Sequence, residues 1–148
     1  MGKLVFVYGT LMAGDYNHAR FMREAKCIEA TAVVDGLALY VPQHAGFPVA
    51  VRAAGFVLGE VWSVDDATME RLDAMECGAG YIRTRVHAKR VGGKARAPIA
   101  CWAYVQSAAV ATLLGWTRTD GSWREWKQTL RANFAETNAV ITSKTRGI

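Results

Sequence analysis

The stretch CIEATAVVDGLALYV, Cys27 to Val41, decides the fold class. Cys27 to Val34 alternates or runs apolar in the manner of a strand, Asp35-Gly36 is a two-residue hairpin signal, and Leu37 to Val41 returns apolar. This predicts a β-meander, because Asp-Gly supplies the positive φ that a tight hairpin turn needs. Upstream, Leu4 to Val7 is apolar without a break and Gly9 punctuates it, so Lys3 to Tyr8 reads as a buried strand. Gly14-Asp15 is turn chemistry, and Asn17 caps a short helix to about Arg23 with Phe21 and Met22 toward the core. Downstream, Val49 to Arg52 is a short strand, and Phe56 to Val64 is a longer one interrupted by Gly59. Tyr81 to Val91 and Pro98 to Val105 form a hairpin across Gly92-Gly93.

Helical periodicity is confined to a few places. Asp65-Asp66 starts a helix that buries Met69, Leu72 and Met75, keeps Glu70 wet, and ends before Cys77-Gly78-Ala79-Gly80. Ser107 to Leu114 is a second helix, and Ser122 to Glu136 a third, with Trp123, Trp126 and Leu130 at i, i+3, i+7. Thr137 to Ile148 lacks periodicity and is expected to lie over the surface or fray. The predicted class is α+β, a small mixed or antiparallel β-barrel-like sheet with flanking helices.

The chain has 148 residues, 51% hydrophobic and 21% charged, which fits one domain over residues 1–148 that needs no metal or disulfide for its core. The longest apolar runs fall far short of the ~20 residues that span a bilayer, and no charged-then-apolar leader opens the sequence. A cytoplasmic protein with no membrane partner is the expectation. Cys27, Cys77 and Cys101 are odd in number and far apart, which suits reduced thiols. His18, His44 and His87 have no companion at ligand spacing, so no metal is expected.

A net charge of +5 raises the question of nucleic acid. The charge is polarised: Glu60, Asp65, Asp66, Glu70, Asp73 and Glu76 form an acidic block, and Arg83, Arg85, Lys89, Arg90, Lys94 and Arg96 follow with no acid among them. Alternation puts Arg83, Arg85, His87 and Lys89 on one strand face, opposite Ile82, Thr84, Val86 and Ala88. Nucleic-acid surfaces interleave aromatics for stacking, and none is expected on this face, so no nucleic-acid partner is predicted.

Val7-Tyr8-Gly9-Thr10-Leu11, followed by Gly14 and by Asn17-His18, resembles the opening motif of the gamma-glutamyl cyclotransferase-like family, particularly its gamma-glutamylamine branch. Leu72-Asp73-Ala74-Met75-Glu76 with Tyr81-Ile82-Arg83 is similar to that family's LDxxE segment and downstream YxR. Phe47-Pro48, Gly59-Glu60-Val61-Trp62 and Trp102-Ala103-Tyr104-Val105 stand in the matching order. The motif-bearing core is residues 4–106, and 107–148 is a helical C-terminal extension. One departure is Cys77, where family members place a glycine directly after the glutamate.

The resemblance implies that the α-amine of a gamma-glutamyl group attacks its own gamma-carbonyl and releases 5-oxoproline and a free amine. It implies a small-molecule gamma-glutamyl substrate, no cofactor and Glu76 as acid/base. Tyr8, Gly9, Thr10, Leu11, Tyr81 and Tyr104 would bind the substrate. A solvated glutamate near pKa ~4.3 is a poor base for an ammonium near ~8, so an apolar wall should raise Glu76. Gly9-Thr10-Leu11 would present strand-end amides to the developing oxyanion. The bland readings are a helix cap for Asn17, a packed His18, wall or core tyrosines, and Trp116, Trp123 and Trp126 in core or oligomer contacts. Cys77 lacks a partner that would make it a nucleophile. The basic strand with Arg118, Arg124 and Arg131 is a candidate attractor for an acidic leaving group. Rival readings are cyclisation of gamma-glutamyl-α-amino acids or glutathione, which tend to carry YGS rather than Tyr8-Gly9-Thr10, and a silent binding module for small molecules or nucleic acid.

Overall fold

The computed structural model describes residues 2–92 and 96–132. Its elements are β1 (Lys3–Val7), α1 (His18–Phe21), β2 (Lys26–Val41), β3 (Val49–Val64), α2 (Asp66–Gly78), β4 (Ile82–Arg90), β5 (Ile99–Val105), α3 (Ala108–Leu113) and β6 (Thr117–Arg118). Residues 123–132 are helical as well. The expectations for Gly93 and Lys94, for the helix over 133–136 and for Thr137 to Ile148 lie outside the described residues.

The sheet order β3-β1-β5-β4-β2, with β2 also paired to β3, closes a five-stranded barrel, and β6 adds to β2. Only β1–β5 is parallel among these ladders. The mixed barrel-like α+β fold read from the sequence is therefore the fold of the chain.

The deciding stretch behaves differently from expectation at its centre. Asp35-Gly36 makes no hairpin: β2 runs through it as one strand of 16 residues, paired from Lys26↔Ser63 to Tyr40↔Val49. The ladder slips between Asp35 and Leu37, and Gly36 has φ 81°. This is a bulge in which Gly36 alone faces residues 53–55 of β3, so a left-handed glycine here bends the ladder instead of reversing the strand. On the partner, Val49–Arg52 and Phe56–Val64 likewise merge into β3. Gly59 does not interrupt it. A Cβ there would strike the Val7 carbonyl and the Phe6 ring, so the glycine lets β1 lie close on β3.

In α2, the Asp65 carboxylate accepts the Thr68 amide at 2.7 Å and caps the N-terminus. Met69 and Leu72 are buried on one side, each contributing roughly 1.5–3 kcal/mol, and Glu70 is exposed. The helix continues to Gly78, two residues past the expected end, so Glu76 sits inside its last turn. At α1, Asn17 occupies the N-cap position without a side-chain cap bond. Met22 is buried and Phe21 partly so, but the helix stops at Phe21. Trp123 is buried and Trp126 packs against the core, whereas Leu130 is exposed, against the expected stripe.

The basic block finds carboxylate partners in the fold, of which Asp73 alone comes from the acidic block. Arg83 pairs with Asp73 at 3.3 Å, Lys89 with Asp35 at 2.5 Å and Arg90 with Glu29 at 3.4 Å. The basic face also carries an aromatic after all: β5 sets Trp102 opposite Arg85, and the Arg83 and Arg85 guanidinium groups each lie 4.8 Å from its ring centroid. Among the described residues, no helix is long and apolar enough to cross a membrane, and no three His, Cys, Asp or Glu side chains gather to hold a metal ion.

Candidate active site

β1 ends at Val7 on the barrel rim, and the chain leaves it as a loop over Gly9–Asn17 braced by its own bonds. Met12 N–H donates to Gly9 O (3.1 Å), Asn17 N–H to Thr10 O (3.1 Å) and Asn17 Nδ2 to Thr10 Oγ1 (2.9 Å). His18 packs against Trp62 with ring centroids 4.8 Å apart, and its Nδ1 meets Leu11 O at 2.8 Å. Asn17 and His18 therefore hold the loop's shape.

This loop, Phe47-Pro48 and the last turn of α2 enclose a cavity of about 170 Å³. All seven residues singled out in the sequence line it: Glu76, then Tyr8, Tyr81 and Tyr104, then Gly9, Thr10 and Leu11. Sequence reasoning missed Tyr16 and Met75, which also line it. Cys77 is exposed and absent from the lining.

Glu76 is partly buried, and among the described residues its carboxylate has neither a hydrogen-bond donor nor an ion-pair partner. Burial alone pushes its pKa from 4.5 to about 7. On the facing loop, the amides of Gly9, Thr10 and Leu11 donate to no protein acceptor among the described residues. The cavity thus sets a proton acceptor poised near neutrality among free N–H donors. Gly9 also has a role that the sequence did not suggest. A Cβ there would come within 2.8 Å of the Pro48 ring, so glycine is needed for Pro48 to close the wall.

The tyrosine hydroxyls are committed elsewhere. Tyr8 Oη donates to Tyr104 O (2.5 Å) and accepts from Ala50 N–H (3.2 Å), tying β1, β5 and β3 together. Tyr81 Oη donates to Pro48 O (3.2 Å), and Tyr104 Oη donates to Asp73 Oδ1 (2.6 Å). Burial raises the pKa of all three, so they stay protonated where they line the cavity. In the sequence Asp73 belongs to the acidic block and to the LDxxE segment, with no role of its own. Its position one turn before Glu76 is the signal that could have marked it.

Behind the loop is a network that sequence reasoning did not find. Glu60, 3% exposed, accepts from Ala13 N–H (2.9 Å), Trp62 Nε1 (3.0 Å) and Arg124 Nη2 (2.6 Å). Arg124 also donates to Ala13 O (3.0 Å). Asp15 accepts from Trp123 Nε1 (3.0 Å), Lys127 Nζ (2.5 Å) and Tyr16 N–H (2.9 Å). Burial opposes ionisation of Asp15, but these bonds and the Lys127 charge outweigh it and hold its pKa below the ordinary value. A charged residue inside the apolar β3 run was the available signal for Glu60. These contacts also spend most of the cations proposed to attract an acidic group: Arg124 is on Glu60, Arg118 is on Ala54 O, and the β4 cations are paired or stacked. Arg131 is the one of them that lines a cavity, a second one.

Residues 5–125 match the family described as Gamma-glutamyl cyclotransferase, AIG2-like. The chain belongs to that family. Within it, the chain is 33% identical over 111 residues to a gamma-glutamylaminecyclotransferase of Bos taurus, a match covering 68% of this chain and 63% of that one. It is 35% identical over 72 residues to a gamma-L-glutamyl-butirosin B gamma-glutamyl cyclotransferase of Niallia circulans, covering 49% of this chain and 44% of that one. Neither match reaches two thirds of the relative's length. A crystal structure of an aig2-like protein from Mus musculus superposes with TM-score 0.68 at 22% identity, covering 81% of this chain and 87% of that one. An uncharacterized protein from Pyrococcus horikoshii superposes with TM-score 0.64 at 24% identity, covering 88% and 97%. At these identities the superpositions establish the shared fold.

Proposed function

We propose that this chain is a gamma-glutamyl cyclotransferase of the gamma-glutamylamine branch, releasing 5-oxoproline and a free amine. The observation that carries the proposal is the unpartnered Glu76 carboxylate, with a pKa near 7, in one cavity with the free amides of Gly9, Thr10 and Leu11. Family membership and the relatives' names support the same chemistry.

In the proposed reaction Glu76 takes a proton from the substrate's α-ammonium, and the freed amine attacks the gamma-carbonyl carbon. The new C–N bond closes a five-membered ring, and the loop amides receive the oxyanion. Glu76 then returns the proton to the departing nitrogen as the old C–N bond breaks, and the ring nitrogen, cationic since the attack, sheds its second proton, so that the amine leaves as an ammonium. No water is consumed, and substrate and chain supply every group, so the proposal calls for no cofactor. The enzyme's contribution is to fix the attacking rotamer, since both reactants belong to one molecule. We place the reaction in the cytoplasm, on the ground of the three free thiols.

Mass-spectrometric detection of 5-oxoproline against a panel of gamma-glutamyl compounds tests this. Turnover of gamma-glutamyl amines supports the branch. Turnover of glutathione or gamma-glutamyl-α-amino acids alone overturns the branch, and binding without turnover overturns catalysis.

A further inference from the structure

A second cavity of about 530 Å³ lies across Tyr16 from the first, and Tyr16 lines both. The Tyr16 hydroxyl reaches over to Gly46 O at 3.4 Å. Opposite stand Trp123, Lys127, Leu130 and Arg131 of the helical segment 123–132. The first cavity, at about 170 Å³, is small beside the ~300–1,000 Å³ of sites that enclose whole drug-sized ligands. It suits a glutamyl head, so whatever is joined to the gamma-carbonyl must leave it.

The charges in the second cavity are unequal. Asp15 is its one carboxylate among the lining residues, and it is engaged by Trp123, Lys127 and the Tyr16 amide. An ammonium has three donors and Asp15 takes one from Lys127, while Arg131 adds a second cation on an exposed helix face. The Trp123 and Leu130 side chains supply apolar wall beside them.

Resting on the gamma-glutamyl reading above, we propose that this second cavity is the subsite for the leaving amine. The amine it suits has a methylene stem ending in an anionic group such as a carboxylate. The stem would lie along Trp123 and Leu130, and the anion would meet Arg131, the cation of the two that no carboxylate among the described residues holds. A polyamine of equal length would bring a cation against Arg131, with Lys127 already balanced by Asp15, an arrangement that discriminates by repulsion.

The test uses the full chain and two gamma-glutamyl amides of matched length, one of ω-aminohexanoic acid and one of diaminohexane. The quantity read is the ratio of their kcat/KM values, measured in competition so that any loss of active protein cancels. The parent should favour the anionic amide by roughly tenfold at low salt, with the preference shrinking as salt is added. Arg131→Glu should bring the ratio to unity or invert it, which a merely structural role of Arg131 would not do. A parent that turns over both amides equally, or an Arg131→Glu variant with the parental ratio, overturns the subsite while leaving the cyclotransferase reading in place. If no gamma-glutamyl compound is turned over, that reading falls and the subsite falls with it.

Discussion

Glu60 and Glu76 both withdraw a carboxylate from water beside the loop Gly9–Asn17, yet the chain treats them in opposite ways. Around Glu60, two N–H donors and the Arg124 guanidinium offset the cost of desolvation, and the group becomes a brace between β3, the loop and the helical segment 123–132. Around Glu76 no donor is supplied among the described residues, and the cost appears as a pKa near 7. Burial therefore does not separate a structural carboxylate from a proton carrier; the number of partners does. The same logic extends to the tyrosines of the site, whose hydroxyls all have partners and act as wall.

The comparison can be broken most directly at Glu76. Glu76→Gln should lower 5-oxoproline formation by at least ~100-fold and remove a limb near pH 7 from the kcat/KM profile. Its effect on stability has the opposite sign. Because folding raises this pKa from 4.5 to about 7, ionisation costs stability progressively as pH rises through that window. Thermal melts should show the variant more stable than the parent above the window, by up to about 3 kcal/mol, and equal to it below the window. A variant with parental turnover would show that the unpartnered carboxylate has no part in the chemistry.

Glu60→Gln tests the other half. It keeps the shape but leaves Arg124 and two N–H groups facing an amide, so stability should fall by about 1–3 kcal/mol. Turnover should fall less than in Glu76→Gln. Chemical denaturation alongside initial rates decides it: abolished turnover at unchanged stability would mean that the two roles are exchanged.

Gly9→Val sharpens the comparison from the loop's side. Its Cβ would push Pro48 out of the cavity wall and raise KM by about tenfold, with the pH limb of Glu76 kept. Retained tight binding would show that the loop does not cradle the substrate. The smallest effect belongs to Glu70→Gln, on an exposed face of the same helix, where stability should shift by less than about 0.5 kcal/mol and the rate should stay parental. A rate loss there would mean that exposure does not protect a carboxylate on α2 from involvement.

Local chemistry made much of this legible in advance. The unbroken run Leu4 to Val7, the alternation along Arg83 to Lys89 and the i, i+3 spacing of Met69 and Leu72 each encode an element within a few residues. The strand-end loop and Glu76 were readable because motif order placed them together. At Asp35-Gly36 the sequence was ambiguous in principle, since a turn and a bulge ask for the same left-handed glycine, and only pairing across the whole of β3 selects the bulge. The Glu60–Arg124 and Asp15–Lys127 pairs span 64 and 112 residues, with no local pattern to announce them. The acceptors for Tyr8 and Tyr81 are main-chain carbonyls, which no side-chain code identifies.

The Arg124 and Lys127 contacts have a consequence for how the chain is made. The loop Gly9–Asn17 leaves the ribosome ahead of its braces on Ala13 and Asp15, which come 111 and 112 residues later. At synthesis rates of ~5–20 residues per second, the loop waits on the order of 6–20 s for them. For most of that interval β1 also lacks β5, its parallel neighbour. The nascent chain thus carries Glu76 well before it can hold the amides opposite, so the pocket is completed only after Lys127 has been made.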